Sequence, residues 1–86
     1  MCTYLTEKVE MAGSGKGATG WFALSEATVY FDHPVHAAAE HTLNIDFRNP
    51  GQGPSARVAV ELTADSARAL AAAIEATLAS APPGLF

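Results

Sequence analysis

The alternation of apolar and polar residues along this chain is clearest between Thr42 and Arg48. There Leu43, Ile45 and Phe47 fall on one side of an extended backbone and Asn44, Asp46 and Arg48 on the other, the period-2 pattern of a half-buried strand. It recurs over Ala56–Leu62, where Val58, Val60 and Leu62 alternate with Arg57, Ala59 and Glu61. Thr3–Met11 reads as a further strand, with Leu5, Val9 and Met11 facing away from Tyr4, Thr6, Lys8 and Glu10. Glu7 interrupts its apolar side, which suits an edge position. Trp21–Leu24 and Ala27–His33 read as strand with a bend at Ser25-Glu26. The glycine-rich stretch Gly13–Gly20 and the segment Asn49–Pro54 read as loops.

After Leu62 the period changes. Thr63 is a good N-cap and Asp65 suits the first turn of a helix. Ala67, Leu70, Ala71, Ile74 and Leu78 then form an apolar stripe over about Ala64–Ala79. Pro82-Pro83-Gly84 stops the helix and leaves residues 81–86 as a tail. The order predicts an α+β fold, an antiparallel sheet of about four strands followed by one C-terminal helix packed on it, in one domain over residues 1–86. One helix covers one face of such a sheet, leaving Tyr4, Trp21, Phe22 and Tyr30 on the open face or at its edges. A second copy would cover them, so a homodimer is expected.

Composition narrows the class. The chain has 86 residues, 49% hydrophobic and 16% charged, which describes a folding chain rather than a disordered one. Alanine supplies much of that apolar count, so the core is small and association would stabilise it. The net charge is −4. Lys8, Lys16, Arg48, Arg57 and Arg68 are scattered, and without a basic stripe no nucleic-acid partner is expected. Cys2 is the single cysteine, which excludes an internal disulfide and fits a reducing compartment. No signal-like or membrane-length apolar run is seen, so no membrane partner and a cytoplasmic location are expected.

All three histidines lie in Asp32-His33-Pro34-Val35-His36-Ala37-Ala38-Ala39-Glu40-His41. If Ala27–His33 and Thr42–Arg48 are antiparallel neighbours aligned by their apolar faces, Phe31 opposes Leu43, Val29 opposes Ile45 and Ala27 opposes Phe47. His33 then opposes His41, and two imidazoles on one face can converge on one ion. His36 would fold back as a third ligand. Three histidines with an open position suit a catalytic divalent metal, zinc first. Glu40 would be the general acid/base acting on bound water, Asp32 an outer partner, and Cys2 an optional further ligand. The plainer reading makes His33 and His41 a stacked pair at the core rim and His36 a solvated loop residue. A pH-sensitive interface is a third.

Two other patterns carry less. Gly15-Lys16-Gly17-Ala18-Thr19-Gly20 matches G-x-G-x-x-G, but strand rather than helix follows, and Gly17 after Lys16 breaks the P-loop pattern. A hairpin loop is the preferred reading over an anion grip. Asn44, Asp46 and Arg48 with Arg57 and Glu61 read as a solvated polar face or as the lining of a polar pocket at a dimer interface.

The opening Met1-Cys2-Thr3-Tyr4, the Gly-Ser-Gly-Lys-Gly run and Asp32-His33-Pro34-Val35-His36 with Glu40-His41 resemble a family of small, uncharacterised actinobacterial proteins. The resemblance covers nearly the whole chain, implies a bacterial, cytoplasmic origin and supplies no activity. The residues themselves point first to a divalent-metal protein, a lyase, cyclase or hydrolase acting on a small molecule. The alternative is a non-enzymatic dimeric module that binds a small molecule or a protein.

Overall fold

The structure is a computed structural model that describes residues 5–86. Strand β1 spans Thr6–Gly17, β2 Gly20–Asp32, β3 Thr42–Arg48 and β4 Arg57–Leu62, and helix α1 spans Ala64–Ser80. The strands form one antiparallel sheet in the order β1-β2-β3-β4. A single turn of 3-10 helix, Pro50–Gln52, sits in the β3–β4 connection, where the Asn49 side chain accepts from the Gly51 N–H. The expected α+β order, a four-stranded antiparallel sheet followed by one C-terminal helix, is therefore present.

The β2–β3 register is set by matching apolar faces. Phe31 opposes Leu43, Val29 opposes Ile45 and Ala27 opposes Phe47. On the neighbouring pair Leu43 opposes Leu62, Ile45 opposes Val60 and Phe47 opposes Val58. Because the side-chain period is two, the opposite face carries Tyr30, Asn44 and Glu61 in one row and Thr28, Asp46 and Ala59 in the next.

Three expectations are corrected. The glycine-rich stretch is mostly strand: β1 runs through Gly13–Gly17, and only Ala18 and Thr19 turn the chain before Gly20, whose φ is +121°. Gly17 is there for close approach, since a Cβ on it would lie 3.1 Å from the Phe22 ring and 3.1 Å from the Ser55 carbonyl oxygen. β2 also runs without a break through Ser25-Glu26, and the irregularity falls on β1, between Glu10 and Gly13, as a bulge that lets an edge strand follow its longer neighbour.

The third correction concerns α1. Thr63 caps it as expected, its hydroxyl accepting from the Ser66 N–H at 3.1 Å. The helix does not cover the sheet, however. It meets β3 and β4 only sparsely, and none of its residues is buried. Among the described residues the buried hydrophobic side chains are the small ones of Ala27 and Ala56. Buried Thr42 and Asn44 satisfy each other, the threonine hydroxyl donating to Asn44 Oδ1 at 2.6 Å.

Candidate functional site: a polar cleft under the histidine loop

The polar face of β2–β4 becomes a site because the β2–β3 connection, residues 33–41, folds over it. Glu61 on β4 holds that connection down. Its carboxylate accepts from the backbone N–H of Val35, of His36 at 3.0 Å and of Ala37 at 2.9 Å. Successive amides aimed at one anion favour its charged form. The N–H of Val35, followed by those of Ala37 and His36, accordingly holds the Glu61 carboxyl below the usual glutamate range.

Between this roof and the sheet lies a cleft of about 800 Å³, lined among others by Tyr30, His36, Asn44, Asp46, Arg57 and Glu61. Its floor is a connected set. Arg57 donates to Asp46 Oδ1 at 2.7 Å, and the Tyr30 hydroxyl donates to Asp46 Oδ2 at 3.4 Å. Burial, and then the charge of Asp46 and the hydrogen bond to it, push the Tyr30 hydroxyl above its ordinary pKa, so it stays protonated. Arg57 and Asn44 pull the other way. Neighbouring strands put these residues side by side, and alternation puts them on the face away from the aliphatic residues.

The histidines are partly gathered. The imidazoles of His33 and His41 lie with ring centroids 4.4 Å apart and planes tilted by 35°. His41 in turn stacks on Phe31, with centroids 5.8 Å apart. His33 Nδ1 lies 3.1 Å from the carbonyl oxygen of Glu40, and the backbone N–H of His33 donates to Asp32 Oδ1 at 2.7 Å. The contact between the His33 and His41 rings falls one step past the last β2–β3 pair, Asp32 opposite Thr42. His36 instead gives its N–H to Glu61 and lines the cleft. Glu40 meets His33 through its backbone carbonyl. Among the described residues no group of three or more His, Cys, Asp or Glu side chains is placed to hold a metal ion. Cys2 lies outside the described residues.

The part that sequence reasoning missed is the role of Glu61. Its place on a polar face is readable from alternation, but nothing in the spacing links it to amides 24 to 26 residues away. The Tyr30–Asp46–Arg57 set was closer to hand, since the register that pairs β2 with β3 also brings those strands' polar residues together.

Fold and cleft together define a small α+β protein in which a sheet face and one tethered connection flank a half-open cleft. The chain belongs to a family of unknown function, DUF6295, whose model matches residues 1–86. No curated protein and no solved structure matches it. Among the described residues no helix is long and apolar enough to cross a membrane.

Proposed function

We propose that the protein is a non-enzymatic binding module that takes a small polar molecule into the cleft between β2–β4 and residues 33–41. The observation that carries this reading is the Tyr30–Asp46–Arg57 network lying under a roof held by Glu61. A cleft of about 800 Å³ falls in the range that holds small molecules. The Asp46 contact engages one of the five N–H donors of Arg57, and the amide of Asn44 and the imidazoles of His33 and His36 add polar groups nearby. Asp46 balances the charge of Arg57, so the chemistry favoured is a neutral or singly anionic molecule rich in carbonyl and hydroxyl acceptors. The test is amide chemical-shift mapping against a panel of small carboxylates, amides and sugars. Ligands that move Tyr30, Asn44 and Arg57 in the unsubstituted protein and not in Arg57→Ala support it. A panel that moves none of them, or only residues elsewhere, overturns it.

A specific observation favours a second reading, a divalent metal, zinc first, held by His33, His36 and His41. His33 Nδ1 faces the Glu40 carbonyl, the outer hydrogen bond that metal-bound imidazoles commonly make, and this would leave Nε2 for an ion. Cys2 would be a further ligand and Glu40 the acid/base of any hydrolytic, lyase or cyclase step. The tilted rings of His33 and His41 must reorient for this to happen. Stoichiometric zinc in untagged protein, lost in a His33→Ala/His41→Ala variant, supports the metal. No gain in thermal stability with Zn²⁺, Ni²⁺, Mn²⁺ or Fe²⁺ discards it.

A further inference from the structure

Two apolar surfaces of this chain are incompletely covered. One is the α1 stripe, where Leu70, Ile74 and Leu78 are 45%, 51% and 52% exposed. The other is the aliphatic sheet face, on which Val29, Phe31, Leu43, Ile45, Val58 and Val60 are all only half-buried. Near its β1 side, Leu24, Phe47 and Val58 surround a shallow hollow of about 260 Å³.

The connection explains why the helix leaves its own sheet uncovered. β4 ends at Leu62 and α1 begins at Ala64, so one residue joins them. Strand-to-helix links that fold a helix back over its sheet use about 2–6 residues. Thr63 alone joins the end of β4 to the start of α1, and the stripe does not turn back across the face.

The exposed area gives the scale of what is missing. A folded monomer of 8.9 kDa exposes about 4,800 Å², whereas this chain exposes 6334 Å². The excess is about 1,500 Å² per chain, and two chains together reach the roughly 2,000–5,000 Å² of obligate homodimer interfaces. The radius of gyration, 14.5 Å, likewise exceeds the about 12 Å of a compact chain of this length.

We infer that the covering partner is a second copy of this chain, and that α1 of each copy lies on the aliphatic sheet face of the other. Both surfaces belong to one sequence and are of one kind, aliphatic with small alanines between. A reciprocal exchange about a two-fold axis would bury part of both at once. The 17-residue helix is about 25 Å long, enough to cross β2, β3 and β4 at about 4.8 Å spacing beyond the end where β1 curls toward β4. The exchange uses the face opposite Tyr30, Asn44 and Glu61, so the cleft stays open to solvent and the inference does not depend on what binds there.

Sedimentation at micromolar concentration, followed by isotope-filtered NMR on a mixture of labelled and unlabelled protein, tests this. The expected result is a dimer with intermolecular methyl contacts from Leu70, Ile74 and Leu78 to Val29, Ile45 and Val60. Leu70→Asp/Ile74→Asp is expected to weaken the dimer by at least about a hundredfold. A monomer at micromolar concentration overturns the inference, as does a dimer whose intermolecular contacts join helix only to helix or sheet only to sheet. If the double variant precipitates, the filtered contacts in the unsubstituted protein decide alone.

Discussion

Glu61 shows how much one side chain can organise. Three backbone N–H groups from residues 35–37 converge on it, so its folded-state pKa lies below the unfolded one. The stabilisation is therefore fully present above the unfolded carboxyl value and is lost as pH falls through the lower folded value. Glu61→Gln, or acidification through that window, is expected to speed hydrogen exchange at Val35, His36 and Ala37 while the strand ladders stay protected. Unchanged exchange at those three amides would show that the roof is held by something else. Tyr30 has the opposite sign. Its raised pKa stabilises the fold up to about pH 10 and that contribution is lost as pH climbs through the raised value. Tyrosine titration in a Tyr4→Phe background should fall toward the ordinary value in Asp46→Asn and rise further in Arg57→Ala. Shifts in the same direction for both variants would contradict the network described for the cleft floor.

The elements reveal how far a sequence pattern reaches. Alternation located β3 and β4, and the matching of Phe31, Val29 and Ala27 to Leu43, Ile45 and Phe47 fixed the register between β2 and β3. The same register brought His33 and His41 to ring contact. Glycine misled, because it punctuates loops and also permits close contact inside strands, and no local pattern separates the two uses. At Gly17 the reason lies in Phe22 and in Ser55, the second of which is remote in sequence. Gly17→Ala should accordingly cost about 1–3 kcal/mol in denaturant unfolding, as overpacking does. Gly13→Ala meets nothing within 4 Å and should be neutral or slightly stabilising. Equal costs at the two sites would mean that Gly17 is not sterically required. At the helix start, Thr63→Ala removes the side-chain acceptor for the Ser66 N–H and should cost about 1 kcal/mol. The stripe on α1 was equally legible, but what it packs against was not. Helical periodicity identifies an apolar surface, and only the folded chain, in which no α1 residue is buried and the helix meets β3 and β4 sparsely, shows that the stripe is not packed on its own sheet.

For the whole molecule, the arrangement separates two kinds of surface. The polar face of the sheet turns toward residues 33–41, and the apolar face and α1 are the surfaces that the inferred dimer would cover. If the chain associates in that way, mass action would make the melting temperature depend on protein concentration, and a melting temperature unchanged over a hundredfold dilution would speak against association. The strand order β1-β2-β3-β4 has a kinetic consequence as well. Every ladder joins neighbours in sequence, so no distant ends must meet before the sheet forms, and the entropy of closing each hairpin is small. Refolding should therefore begin with a rapid phase, indifferent to how much protein is in the flask, in which the meander zips up hairpin by hairpin. Any slower phase that quickens with concentration would time the encounter between chains.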